Sequence, residues 1–331
     1  MKKIALQTIK TAVTVGIIAY IVQLIDWAAF ETLWPRISWA WVALAPVAYF
    51  MGLWGTAFRW TMMLRALDVA LAIPKTLVAY LMGAFYNLVL PGGLGGDLIR
   101  VGFAKKETGA STTLIASTVV LERLFGSMTA FQIGALCILF LSPELVSQLG
   151  WSTLGTLLGC TVWLTFWMLV FFLFWDRVSS KIPARLKAGR LPKKIFAVAE
   201  QIQKLPWTTR HQVVLGTAIF QVGDAVAIYF LAKGIGLDIP VTVFFLLNPF
   251  VYLAMVFPIS LGGLGVREGV VVAFLSMIGV TSTEGATLAF LIYLNHALVG
   301  LGGGVLQLLL GLHPKADAEA IEREESEAIA Q

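Results

Sequence analysis

Charge is scarce in this chain. Only 13% of its 331 residues are Asp, Glu, Lys or Arg, against about 25% in a water-soluble domain. With 58% hydrophobic residues and a mean hydropathy of +0.84, a soluble globular fold is excluded and an integral membrane protein is expected. Cysteine is nearly absent too. Cys137 and Cys160 both fall inside apolar runs, which argues for core filling rather than a disulfide framework. Three histidines, His211, His296 and His313, are too few and too scattered for a zinc enzyme. The chain has no His-Glu-x-x-His helix, no Gly-x-Ser-x-Gly elbow and no Cys-x-x-Cys, and no Walker lysine follows its glycine-rich loops. No cofactor, no metal and no catalytic activity are expected. The net charge of +5 gathers in a few connecting segments, so it reports topology and not nucleic-acid binding.

What is present is length of apolar sequence. About 20 apolar residues cross the hydrocarbon core, and six segments qualify: 6–26, 39–58, 111–141, 151–175, 211–232 and 287–311. The first follows Lys2, Lys3 and Lys10 and leads into Asp26, Trp27 and Trp34, an interface pattern that reads as a retained helix and not a cleaved signal. Two more apolar segments, 75–104 and 240–280, are interrupted by Pro91 to Gly96 and by Pro258 to Gly265. The positive-inside rule places the N-terminus, Arg59, Arg65, Lys75, Lys105, Lys106 and the basic linker 176–210 in the cytoplasm. The turn at 142–150, which has no Lys or Arg, belongs outside. Segment 75–104 then enters and leaves from the cytoplasmic face, and 240–280 from the outer face.

The two interruptions read alike: "PGGLGGDLIR" (91–100) and "PISLGGLGVR" (258–267) align Pro with Pro, Leu-Gly-Gly with Leu-Gly-Gly, and Arg100 with Arg267. Each follows two spans and precedes one, in opposite orientations. The expected fold is an all-α polytopic membrane protein of six spanning helices plus two re-entrant broken-helix hairpins in an inverted-topology repeat. Its halves are 1–142 and 143–311, with a polar cytoplasmic tail at 312–331. Paired broken segments point to a substrate site, because irregular backbone at membrane depth survives only inside protein or against a wet cavity. Gly92, Gly93, Gly95 and Gly96 in one loop, and Gly262, Gly263 and Gly265 in the other, let backbone N–H groups converge on an anion. Arg100 and Arg267 are placed to grip phosphate oxygens. The bland reading has both arginines snorkelling, with Asp97 and Glu268 as structural counter-charges. Glu122, at mid-depth in its span with Arg123 beside it, is a polar-path candidate. Asn295 and His296 occupy the matching region of the second half, where a proton relay to Glu122 competes with a merely satisfied buried histidine. Asp224 ranks below Glu122. Asn87 and Asn248 are placed to satisfy backbone groups freed at the breaks. The linker stretch 193–206 reads as a helix lying on the membrane surface.

"NLVLPGGLGGDLIR" (87–100), "LER" (121–123) and "PISLGGLGVREG" (258–269) resemble the signature blocks of the lysylphosphatidylglycerol synthase transmembrane-region family, also called flippase-like, over roughly residues 5 to 311. The resemblance implies lipid translocation between leaflets. It favours Pro91, Gly96, Asp97, Arg100, Glu122, Arg123, Gly262, Gly263, Arg267 and Glu268 as the functional set. The soluble aminoacyl-transferase domain of bifunctional members has no counterpart here, so lipid aminoacylation is not expected of this polypeptide. The expected role is a translocase of a phosphate-headgroup lipid, either phospholipid or polyprenyl-phosphate, in a bacterial inner membrane with both termini cytoplasmic. Its expected partners are an anionic-headgroup lipid and a homo-oligomer or a separate lipid-modifying synthase. An ion-coupled transporter of a small anionic solute and an intramembrane lipid-modifying enzyme are the alternatives.

Overall fold

The computed structural model describes residues 34–89, 95–182, 206–256 and 265–310, with Glu31, Phe196 and Glu200. Within them the chain folds into nine α-helices and no strands. After a 3-10 turn at Trp34–Arg36 come α1 (Trp39–Arg65), α2 (Ile73–Val89), α3 (Gly95–Thr108), α4 (Thr112–Cys137) and α5 (Pro143–Lys181). Then follow α6 (Trp207–Gly234), α7 (Val241–Val256), α8 (Val266–Ser276) and α9 (Ser282–Leu309). The segment expected at 6–26, the tail, and most of the linker reading at 193–206 lie outside the described residues. Five helices are long and apolar enough to cross a membrane: α1, α4 with its 3-10 extension to Phe140, α5 over Pro143–Trp167, α6 and α9. Large apolar side chains such as Trp39, Trp54, Phe166, Leu301 and Leu308 are exposed on them. That is unfavourable in water and natural against lipid.

Local chemistry sets the ends. The Ser111 hydroxyl accepts from the Leu114 N–H to start α4, and Thr281 does the same from Glu284 to start α9, where the Glu284 carboxylate closes a capping box. Gly150 takes φ 75° inside α5 and kinks it. The turn expected at 142–150 is therefore mostly a short helical lead-in to the next span. In both interrupted segments two separate helices are described, α2 and α3 on either side of 90–94 and α7 and α8 on either side of 257–264; the residues between them lie outside the described ones.

The deepest contact is between α1 and α6. Ser38 N–H meets the Gly234 carbonyl at 2.8 Å, Gly52 lies on Gly223, and Arg59 reaches Thr217. Rising numbers on α1 meet falling numbers on α6, so the pair is antiparallel. Glycines make the approach possible: a methyl at Gly55 would stand 2.8 Å from the Gly216 carbonyl oxygen, and one at Gly223 2.7 Å from that of Ala48. Around this pair, α2 packs on α9, where Gly303 lies against the Leu81 backbone. In the same way α7 packs on α4, where Gly134 meets Pro249 and the Phe245 carbonyl. Exchanging α1 with α6, α2 with α7, α3 with α8 and α4 with α9 turns each principal contact among these eight helices into another that exists.

Candidate functional site

Two polar clusters sit among these apolar helices, one beside each broken segment. The first centres on Glu122, ten residues into α4 and so about 15 Å along it. Its side chain is buried, with 3% of the residue exposed. Oε1 accepts from Arg59 Nη2 on α1 and from the Tyr80 hydroxyl on α2, and Oε2 accepts from Arg100 Nη1 on α3 at 3.1 Å. Four helices thus converge on one carboxylate. Arg100 also donates through Nη2 to Asp97 Oδ1 at 2.6 Å. Its guanidinium lies over the Tyr80 and Trp60 rings, with centroids at 4.2 and 5.1 Å. Asp97 passes the chain on, accepting at Oδ2 from Arg123 Nε at 2.7 Å and from its Nη2. Arg59 donates through Nη1 to Thr217 on α6 at 3.1 Å. Three arginines against two carboxylates leave one surplus positive charge.

The position of Arg100 depends on glycine. A Cβ on Gly96 would collide with the Gly83 carbonyl, and one on Gly83 would stand 3.2 Å from Arg100 Cγ. So α3 leans directly on α2. The Asn87 side-chain oxygen near the end of α2 accepts from the Gly96 N–H in the first turn of α3 at 2.9 Å, a backbone group satisfied by that residue.

The second cluster is built from α8, α9, α6 and α1. Arg267 donates to Glu268 Oε1 through Nε (3.1 Å) and Nη2 (2.7 Å), and its Nη1 meets His296 Nδ1 at 3.0 Å. His296 Nε2 lies 3.6 Å from Asp224 Oδ1, and the Tyr49 ring stands edge-on to the imidazole with centroids 4.3 Å apart. Glu268 Oε2 accepts from the Gly265 N–H at 2.7 Å, and Gly265 holds φ 84°, a conformation that needs glycine. With the imidazole neutral, one arginine against two carboxylates leaves a surplus negative charge.

A polar seam joins the clusters. Gln221 donates to the Gly126 carbonyl at 3.2 Å and accepts from Asn248 at 3.4 Å. Tyr252 lies within electrostatic reach of both Arg59 and Asp224.

The geometry revises several sequence readings. Arg100 and Arg267 sit in different clusters: Arg100 is engaged by Asp97 and Glu122, and Arg267 by Glu268. Gly95 and Gly96 open α3, and Gly265 precedes α8, but one N–H at each bend is already taken by Asn87 or Glu268. Gly92, Gly93, Gly262 and Gly263 lie outside the described residues. Glu122 and His296 share no partner, and His296 faces Asp224 instead. Asn295 is buried, and its Oδ1 has no hydrogen-bond partner among the described residues. Arg59, read as a cytoplasmic topology marker, is buried inside α1, which runs on to Arg65. Sequence reasoning also missed Tyr80, Trp60, Tyr49 and Gln221. Of these missed residues only Arg59 carried a signal, as a charge near the end of an apolar run.

A model of the lysylphosphatidylglycerol synthase TM region matches residues 7–304 of the chain. No curated protein matches it.

Proposed function

Because the chain belongs to the lysylphosphatidylglycerol synthase transmembrane-region family, we propose that it moves a lipid with an anionic phosphate headgroup between the leaflets of a bacterial inner membrane. The observation that carries this reading is where the first cluster meets the exterior. Arg123 has half of its side chain exposed, while its partner Asp97 is mostly covered. Leu98, Val120 and Leu124 are exposed beside it. Arg123 lies eleven residues into α4, about 16 Å along the helix, which is close to the middle of a ~30 Å hydrocarbon core. An arginine at that depth marks a pathway. A headgroup phosphate exchanges with Asp97 for the Arg123 guanidinium and is held by the surplus positive charge behind it. The acyl chains stay outside against the leucines. Arg100, stacked and doubly paired, keeps Glu122 and Asp97 ionised in place and does not itself leave the cluster.

The inverted repeat supplies the movement. The antiparallel α1–α6 pair and the exchange-symmetric packing support a two-fold relation between α1–α4 and α6–α9 with its axis in the membrane plane. Helices α3 and α8, of 14 and 11 residues, are ~21 and ~16 Å long. Both are too short to cross the core, which favours hairpins that turn back within it. Rocking one half on the other exposes the Arg123 edge to each leaflet in turn.

The test is leaflet exchange of fluorescent phosphatidylglycerol and polyprenyl-phosphate in proteoliposomes. Wild type accelerates exchange, and Arg123→Gln slows it about tenfold, the factor that corresponds to ~1.4 kcal/mol of lost headgroup interaction. Arg123→Lys retains part of the rate. Equal rates for wild type and Arg123→Gln would refute the site.

A further inference from the structure

The second cluster has no task in headgroup binding, yet it buries more negative charge than positive. Its hydrogen bonds settle where a proton can go. A guanidinium N–H can only donate, so Arg267 Nη1, 3.0 Å from His296 Nδ1, requires a lone pair there. The neutral imidazole therefore carries its hydrogen on Nε2, which faces Asp224 Oδ1 at 3.6 Å. On the imidazole a second proton has one place to bind, Nδ1, and it cannot bind there while Arg267 donates to that atom.

We propose that His296 and Asp224 form a proton-binding site whose occupancy is exclusive with the Arg267–His296 hydrogen bond. On protonation an Nδ1–H bond forms and the hydrogen bond from Arg267 breaks. The imidazolium is then held by Asp224 through Nε2–H, and Arg267 is left to Glu268 alone. The proton's charge cancels the surplus negative charge, so the loaded cluster is neutral. On release the proton leaves Nδ1 and Arg267 returns.

The mechanical consequence follows from position. Arg267 is the second residue of α8 and sits two residues past Gly265, the positive-φ residue that caps this helix. Detaching it from α9 unfastens the start of α8 from the helix that anchors it. Proton occupancy thereby sets whether the first turn of α8 is tied to α9 through this bond.

Every other ionisable group facing His296 is compatible with this exchange. Tyr49 of α1 presents a ring edge, and Tyr293 of α9 lies near Arg267, 6.0 Å from its guanidinium. Among the described residues α8 contributes Arg267 and Glu268, and α6 Asp224. Tyr252 of α7 lies within electrostatic reach of Asp224. The tyrosines of α2, which packs along α9, bond elsewhere: Tyr80 to Glu122, and Tyr86 to Gln307. The side chains of His296, Asp224 and Arg267 are 19%, 15% and 19% exposed, so the site is not sealed against proton exchange.

The proton site stands on its own geometry; what the proton drives rests on the translocase reading. Two measurements separate them. In a His211→Gln/His313→Gln background, His296 is the sole imidazole, and nitrogen-15 NMR in nanodiscs follows it. The expected result is an unprotonated Nδ1 at high pH, one titration of Nδ1 on acidification while the protein stays folded, and an affinity for the proton about tenfold lower in Asp224→Asn. No titration before unfolding, or one that Asp224→Asn leaves unmoved, overturns the site. Lipid exchange is then read against pH in proteoliposomes. Exchange should vary with pH in wild type and be flat in His296→Gln. Exchange that is intact but equally flat in both proteins overturns the coupling. Absence of exchange in wild type refutes the translocase reading, and the titration still decides the proton site.

Discussion

Glu122→Gln is the sharpest perturbation of the first cluster. The substitution keeps the shape of the side chain and an acceptor oxygen, but removes the charge that Arg59 and Arg100 share. All three residues are 3–5% exposed, so water cannot replace what is lost. The surplus charge of the cluster doubles, and two guanidinium groups are left facing one neutral amide. Removing one partner from a buried pair costs about 3–5 kcal/mol. At ~2 °C per kcal/mol for a chain of this size, that predicts a fall of roughly 6–10 °C in the unfolding temperature of the detergent-solubilised protein. Arg123→Gln is the control. Its side chain is half exposed, and an ion pair so placed contributes at most ~1 kcal/mol, so the shift should stay below ~2 °C. The double variant Glu122→Gln/Arg59→Met removes a charge of each sign and should recover most of the loss, as coupled sites do. Tryptophan fluorescence or scanning fluorimetry reads all four proteins. A Glu122→Gln protein within ~2 °C of wild type, or a double variant less stable than the single, would refute the account of Glu122 as the anchor of the cluster.

Two further outcomes test packing and topology. Gly303→Ala drives a methyl into the Leu81 backbone and should lower the unfolding temperature by several degrees. Gly302→Ala next to it meets nothing within 4 Å and should be neutral or stabilising by up to ~1 kcal/mol; equal effects of the two would contradict the α2–α9 contact. The residues that cap α4 and α9 test the proposed orientation: Ser111→Cys should react with a membrane-impermeant thiol reagent only from the cytoplasmic side and Thr281→Cys only from the other. Labelling of both from one side would remove the inverted repeat.

The architecture was legible where it rests on local signals. The proline- and glycine-rich stretches mark helix boundaries: α2 ends at Val89 and α3 begins at Gly95, and α7 ends at Val256 and α8 begins at Val266. Asp97 and Arg100 are three residues apart, and Glu268 adjoins Arg267, so their pairing follows from spacing alone. The site itself was less legible because its bonds are not local. Glu122 draws its partners from 63, 42 and 22 residues away. A nearly uniform apolar helix gives no period to say that Tyr80 or Trp60 faces inward. Matched spacing suggested one ligand for Arg100 and Arg267. The fold gives each its own carboxylates first, because a lone buried arginine would cost more than the anion it waits for could restore.

The glycine contact between α1 and α6 has a consequence for how the molecule works. At Gly52, Gly55, Gly216 and Gly223 the two backbones meet with almost nothing between them, while the Ile219 and Phe220 side chains close the flanks of the contact, so any relative tilt of the two helices has to pivot here. Gly216 lies against Arg59 at this point, and Thr217, the next residue, binds the Arg59 guanidinium. A tilt of α6 would therefore be felt at Arg59 and, through it, at Glu122, which makes the charged cluster a gauge of that tilt.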